Sequence, residues 1–145
     1  MHTTNSSVNS HPYQISEPFI FSDSLQAIPL AEDSPPPGTP VTVLGWEWTE
    51  CGFSDQLQEF SVIVMDHEEC KDMLLDFITE EFTKVDNLIC TNNTKGMEYP
   101  FHPVYGGPLI VNSELVGIVS PSIFKNPTIY TNISVHLDFL ESVLW

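Results

Sequence analysis

An all-β fold, a small antiparallel barrel with one helix in mid-chain and a second at the C-terminus, is the architecture that this sequence predicts. Three observations lead to it. Six short segments are rich in valine, isoleucine, threonine and aromatic residues, turn-forming residues separate them, and only two segments repeat apolar residues at helical spacing. Many short strands with so little helix are typical of a closed antiparallel barrel.

Residues that turns favour, among them glycine, proline, asparagine, aspartate and serine, lie between the six strand segments. Asn112-Ser113 lies where the strands 108–112 and 114–120 meet and predicts a hairpin turn. The predicted strands are residues 41–48, 57–65, 87–90, 108–112, 114–120 and 128–133.

Each predicted helix has a start signal. The first opens at Asp66, with Glu69 three residues later in the spacing of a capping box. The second follows Ser134, the expected N-cap, and repeats leucine at helical spacing towards the end of the chain. The acidic run at 66–69 could also be read as a metal site, but helix capping already explains two of its members. We expect no metal and no other cofactor.

The charge is strongly acidic, with 20 aspartate and glutamate residues, four lysines and no arginine, for a formal net charge of -16. Such a chain repels phosphate backbones and anionic lipid surfaces. No apolar run approaches the roughly 18 residues that a membrane helix needs. We therefore expect neither a nucleic-acid nor a membrane partner.

The three cysteines, Cys51, Cys70 and Cys90, allow at most one internal disulfide and leave one thiol over. Glycosylation sequons occur at Asn5, Asn92 and Asn132, which would suit a secreted protein. The first ten residues are polar and have no apolar core of a signal peptide. The residues alone leave the compartment open.

Read in order, the segments resemble the C-terminal half of the trypsin/chymotrypsin-like serine proteases. "PFIFSDSLQAIPL" looks like the strap between the two barrels of that family, and "PGTPVTVLGW" is similar to its first strand. "DHEEC" and "VDNLIC" match the cysteine positions that flank its intermediate helix. "GGPLIVNSELVGIVS" and "PTIYTNISVHLDFLESVL" match the strand pair after the nucleophile and the closing strand and helix.

The resemblance implies a trypsin-like barrel, a Cys70–Cys90 disulfide and an extracellular location. The chain divides into three regions: a loose arm predicted at 1–18, where the residues are polar and show little pattern, a strap or linker at 19–40, and the barrel with its terminal helix at 41–145. Cys51 has no counterpart in the family and is expected to be a spare thiol or to form an intermolecular bridge.

The resemblance also locates the catalytic positions, and these are altered. The family has Gly-Asp-Ser immediately before Gly-Gly-Pro, whereas this chain has Pro103-Val104-Tyr105. Tyr105 replaces the serine nucleophile, and its phenol oxygen cannot take the place of the serine oxygen. Pro103 has no backbone N–H to bind an oxyanion. Val104 cannot supply the buried carboxylate that orders the family's site.

Other parts of the machinery are missing from this sequence too. The "A-A-H-C" and "D-I-A-L" segments that carry the family's histidine and aspartate are not found in it. The specificity pocket looks degenerate, because four of its positions are altered. Those positions hold Tyr99, Pro121, Ser122 and Thr128.

The interpretation is a non-catalytic serine-protease homologue, not an enzyme, that acts through protein binding. Its partner would be another protein or a second copy, bound through the face that the family buries between its two barrels. The alternative is a truncated or degenerate serine endopeptidase, proteolytic by family label only. A decaying duplicate without a selected function is a third possibility.

Overall fold

The computed structural model forms a closed six-stranded antiparallel barrel followed by a C-terminal helix. This confirms the predicted fold class. A two-stranded hairpin lies outside the barrel. The residues that the structure describes are 13, 15–46, 48–49, 52–75, 87–93, 105–120 and 127–144.

Eight strands and two helices follow one another along the described residues. The strands are β1 (Pro40–Gly45), β2 (Trp48–Thr49), β3 (Gly52–Phe53), β4 (Gln58–Val64), β5 (Leu88–Asn93), β6 (Pro108–Val111), β7 (Glu114–Val119) and β8 (Thr128–Asn132). The helices are α1 (His67–Leu75), which lies between β4 and β5, and α2 (Leu137–Leu144).

The barrel has the strand order β1-β4-β5-β8-β7-β6, and β6 pairs back onto β1 to close it. At the closure Val43 lies opposite Leu109 in the register, and both are fully buried. Alternation explains the interior: in β1 residues 41, 43 and 45 point inward while their neighbours are more exposed. Burying a side chain such as Leu109 contributes about 2 kcal/mol.

The first predicted strand, 41–48, is longer than the observed one. β1 ends at Gly45, where its pairing with β4 ends opposite Gln58. Trp48 belongs instead to β2, which pairs with β3 in the separate hairpin. The β-type residue pattern continues through 46–48, but the pairing partner changes.

The start of α1 is confirmed. Asp66 Oδ1 accepts hydrogen bonds from the N–H groups of Glu68 at 2.9 Å and Glu69 at 3.3 Å, as an N-cap should. Leu74 is buried against β5 in a second small cluster with Met65 and Ile129. The cap and this apolar contact fix α1 on the barrel.

The predicted cap of the C-terminal helix is wrong. Ser134 lies inside a 3-10 turn, Ser134–His136, that precedes α2. The oxygen that caps this turn comes instead from Asn132, whose Oδ1 accepts from the Ser134 N–H at 3.1 Å and from the Ser134 hydroxyl at 2.9 Å.

No helix among the described residues is long and apolar enough to cross a bilayer.

The strap (residues 19–40) attaches to β7 of the barrel around Leu30. Ala31 N–H donates to the Leu115 carbonyl at 3.0 Å, and Leu115 N–H donates to the Pro29 carbonyl at 2.9 Å. Ala31 is buried within the barrel's main apolar cluster. Earlier strap residues lie exposed on the surface, and most of the predicted arm at 1–18 lies outside the described residues.

Candidate functional site

The turn that precedes β6 begins at Tyr105, the residue that the resemblance aligns with the family's nucleophile. Gly106 has φ of +82°, a left-handed conformation that favours glycine. Its N–H donates to the Val119 carbonyl at 3.0 Å, and the Val119 N–H donates to the Gly107 carbonyl at 2.9 Å. These two bonds fasten the turn to the end of β7 and fix where Tyr105 emerges from the barrel.

The hairpin after this turn is confirmed at Asn112-Ser113. Both residues have positive φ, 50° and 66°, as a two-residue turn between twisted strands requires. The hairpin sets β7 beside β6, and so brings Val119 next to Gly106. The local sequence therefore positions the site through a glycine turn and a tight hairpin.

Tyr105 is 62% exposed and lies at the edge of an apolar cleft of about 310 Å³. The cleft joins the end of β1, the start of β4 and the turn before β6. Among its described lining residues none is a histidine, aspartate or glutamate. They are Leu44, Gly45, Trp46, Leu57, Tyr105, Gly106, Gly107 and Pro108. The cleft offers an apolar surface, and the lining residues that the structure describes supply no acid or base to act on a bound peptide.

The described histidines lie elsewhere. His67 is on α1 and lines a separate cavity next to the Cys70–Cys90 disulfide. His136 lies in the 3-10 turn after β8, where partial burial lowers the pKa of its imidazole. Neither lines the Tyr105 cleft. His102 lies outside the described residues.

Thr128 is the only residue of the predicted degenerate pocket within the described part of the chain. It is buried, and its side chain hydrogen bonds to the phenol of Tyr130, the next inward position on β8. Thr91 also donates to the Tyr130 hydroxyl, at 3.3 Å. Burial raises the pKa of Tyr130 to about 12, although these two hydrogen bonds act in the opposite direction.

The remaining predicted site residues fall outside what the structure describes. Pro103 and Val104, the oxyanion and carboxylate positions, immediately precede the described turn. Tyr99 lies further back in the same loop, and Pro121 and Ser122 follow β7. Their identities bear on the chemistry through the sequence alone.

The Cys70–Cys90 disulfide is present, as the resemblance implied. Its Cα atoms are 6.0 Å apart, and both cysteines are buried. It joins α1 to β5 across the small cluster that contains Leu74. Its role here is structural, and Cys51 lies outside the described residues.

The two sequons in the barrel differ in their surroundings. Asn92 in β5 is partly exposed, so a glycan there stays a prediction. Asn132 is 4% exposed, and its side chain caps the turn at Ser134. A glycan on Asn132 could not coexist with this packing, so the structure disfavours that prediction.

Sequence reasoning missed two features of this region. The apolar cleft joins three segments that are distant in sequence, and no local pattern announces it. The buried Tyr130 contacts Thr91 from 39 residues away, which local spacing also cannot reveal. Within the described residues no group of three or more histidine, cysteine, aspartate or glutamate side chains is placed to hold a metal ion.

Comparison with known proteins identifies the relatives of this fold. A family model described as Trypsin matches residues 11–140. Trypsin iota of Drosophila melanogaster is 38% identical over 115 residues, covering 74% of this chain and 41% of that protein. Trypsin eta of Drosophila erecta is 31% identical over 134 residues, covering 86% of this chain and 49% of that protein. The chain therefore spans less than half the length of these relatives.

Solved structures agree on the architecture. Kallikrein-related peptidase 10 superposes with a TM-score of 0.72 at 23% identity, covering 89% of this chain and 61% of that one. A scabies mite inactivated protease paralogue superposes with a TM-score of 0.76 at 22% identity, covering 89% of this chain and 58% of that one. The described barrel corresponds to the C-terminal half of such a fold.

Proposed function

Since this chain belongs to the trypsin family of serine proteases, we propose that it is a non-catalytic member that acts by binding protein. The observation that carries the proposal is Tyr105. It stands where the resemblance implies the family's nucleophile, in a turn fastened to β7 and at the edge of a cleft whose described lining contains no base. Family and fold do not by themselves establish activity.

The geometry of the Tyr105 side chain differs from that of a serine nucleophile. Serine attacks a carbonyl with a hydroxyl one bond from Cβ, and a neighbouring histidine accepts its proton. In Tyr105 a rigid ring separates the hydroxyl from Cβ, so the oxygen lies well beyond the point that a serine oxygen would reach.

Pro103 and Val104 each lack a polar group that the family uses at this site. Proline has no N–H, and loss of one oxyanion donor costs about 3–4 kcal/mol of transition-state stabilisation. Valine supplies no carboxylate with which an amino terminus could pair. Even a serine at 105 would therefore lack one of the two backbone donors that hold the developing negative charge.

Thr128 stands at one of the altered positions of the specificity pocket. Its buried side chain is hydrogen bonded to Tyr130, so it is committed to the barrel interior. Tyr99 stands at the position of the pocket base and adds a bulky ring by its identity. Selective binding of a substrate side chain in the family's manner is therefore disfavoured.

Protein binding is favoured by the surface that the chain exposes. Large apolar side chains of the strap, including Phe19, Ile20 and Phe21, are mostly exposed. Exposed apolar patches of this kind mark interaction surfaces. The partner is another protein or a second copy of this chain. The disulfide and the family resemblance favour an extracellular site of action, because disulfides persist in oxidising compartments.

The test is direct. The purified chain is incubated with casein and with fluorogenic peptides that end in arginine, lysine or phenylalanine, and active trypsin serves as the positive control. We expect no cleavage above the rate of a heat-denatured sample. Cleavage that a serine-protease inhibitor abolishes would refute the proposal and favour a degenerate but working endopeptidase.

A further inference from the structure

We propose that the exposed strap and the outer side of α2 form one docking face for a basic protein surface, with an apolar centre and a lysine- or arginine-rich rim. This inference rests on the proposed function, because it names the chemistry of the partner. The residues that we group as the apolar face are Phe19, Ile20, Phe21, Leu25, Ile28, Val135, Phe139 and Val143.

The strap contributes the larger share of the apolar face. Phe19 and Phe21 are each more than half exposed and Ile20 is 88% exposed, in a segment of consecutive residues. A tight turn follows, closed by two backbone hydrogen bonds between Ser22 and Leu25 at 3.0 and 3.2 Å. The turn follows directly after these exposed side chains and fixes the path of the backbone there.

The C-terminal helix contributes a stripe. Val135, Phe139 and Val143 recur every four residues, so along the 3-10 turn and α2 they share one side. Their exposed fractions lie between 45% and 48%. Leu137 and Leu140 are less exposed than this stripe. The helix therefore presents a second apolar surface outward.

The two surfaces leave the barrel at adjacent points of β7. Leu30 forms a parallel bridge with Leu115. At the next residue of β7, the Val116 carbonyl accepts the N–H of Ile133 at 3.0 Å. The exposed Ile28 precedes this point on the strap by two residues, and the exposed Val135 follows it by two residues on the other side. The strap at Leu30 and the chain that leads into α2 at Ile133 are therefore anchored on adjacent residues of β7.

The charged side chains of the strap and of α2 are all acidic. Every basic residue of the chain lies between Lys71 and Lys125, so residues 1–70 and 126–145 contain no lysine or arginine. Exposed carboxylates accompany both parts of the face. They are Glu17, Asp23, Glu32 and Asp33 on the strap side and Asp138 and Glu141 on α2.

This charge pattern selects the occupant. Two copies meeting through this face would bring their carboxylates together, on chains that each carry a formal charge of -16. A partner with a basic rim would instead gain favourable pairs around the apolar centre. Charge complementarity thus favours a basic protein over a second copy.

The probe is a pair of amphipathic peptides, one of leucine and lysine and one of leucine and glutamate, titrated against the full chain by fluorescence anisotropy. We expect the lysine peptide to bind and the glutamate peptide not to bind. Affinity should fall as ionic strength rises, because screening weakens charge pairs.

Local and global effects are separated by matched variants. Phe139→Ser should weaken the affinity for the lysine peptide by about tenfold, whereas Met73→Ser, on the exposed side of α1, should leave that affinity unchanged.

Two triple variants change the net charge equally. Glu32→Gln with Asp33→Asn and Asp138→Asn should weaken binding by about tenfold. Glu59→Gln with Asp55→Asn and Asp72→Asn should have little effect.

Several outcomes would overturn the inference. Equal losses from the two triple variants would mean that net charge, and not this face, attracts the peptide. Binding of both peptides, or of neither, would reject a basic partner. A dimer by light scattering that Phe139→Ser dissociates would make a second copy the occupant. That last result would leave the proposed function intact, whereas proteolysis by the chain would refute the function and not the face. Circular dichroism confirms that each variant is folded.

Discussion

The N–H of Gly106 lies 3.0 Å from the carbonyl oxygen of Val119 and fastens the turn before β6 to the end of β7. The turn keeps its glycine conformation, with φ of +82°, and the following Pro108 begins β6. This turn is thus fixed to the barrel, and the side chain that it presents, where the resemblance implies the family's nucleophile, is that of Tyr105.

Restoring serine at this turn should not create a protease. We expect Tyr105→Ser, alone or combined with Pro103→Gly and Val104→Asp, to show no hydrolysis of fluorogenic peptides above background. The reason is that the cleft lining contains no described base to accept the serine proton. A catalytic rate that appears in the triple variant and follows the titration of a histidine would contradict the account.

The disulfide should contribute substantially to stability. It closes a loop of 20 residues between Cys70 and Cys90, and the chain-entropy relation gives about 3 kcal/mol for a loop of that size. We expect a Cys70→Ala, Cys90→Ala double variant to lose about that free energy of unfolding in urea. A reducing agent should then have no further effect on it. Cys51→Ala is the control, and an equal loss there would count against this assignment.

Gly117 should be intolerant of a side chain. A Cβ built at this position lies 3.1 Å from the Tyr130 Cβ and 3.3 Å from the Thr131 carbonyl oxygen. Gly117→Ala should therefore cost about 1–3 kcal/mol in urea unfolding. Ser113→Gly is the opposite control. It relieves a left-handed φ of 66° and should stabilise the hairpin. A neutral Gly117→Ala would mean that β7 and β8 are less tightly packed.

Alkaline pH should destabilise the barrel through Tyr130. Its folded pKa is about 12, against 10.0 for the unfolded chain, because burial disfavours the phenolate. Below pH 10 the phenol is neutral in both states and this contribution is fully present. As the pH rises towards 12 only the unfolded state ionises, so the free energy of unfolding should fall by about 3 kcal/mol.

The variant Tyr130→Phe isolates this effect. It removes the ionisable group, so its stability curve over the same pH range should lack that decrease. Chemical denaturation at a series of alkaline pH values supplies the measurement. A parallel decrease in wild type and variant would assign the pH dependence to other groups.

The barrel could be predicted from sequence because each strand carries its own signal. Alternation in β1 places Val41 and Val43 inward, and the positive-φ pair Asn112-Ser113 marks the hairpin. These are local properties of consecutive residues. Strand ends were harder, because the chain after Gly45 keeps a β pattern while its pairing partner changes.

Features that depend on distant residues could not be predicted. Asn132 and Ser134 are both good capping residues, and only the fold shows that the Asn132 side chain turns back to cap the turn. The Asn132 side chain is buried by the fold, whereas Asn92 is partly exposed, so the two sequons differ in their access to a glycan. Similarly, the cleft beside Tyr105 arises from three separated segments, so its apolar lining is a property of the assembled barrel.

Labelling with a fluorophosphonate probe tests the central claim most directly. The purified chain is treated with the probe beside active trypsin, digested, and analysed by mass spectrometry for a phosphonylated residue. The account predicts labelled trypsin and an unmodified chain, with Tyr105 in particular carrying no adduct. Stoichiometric labelling of any serine or of Tyr105, lost after denaturation, would show a working nucleophile and contradict it.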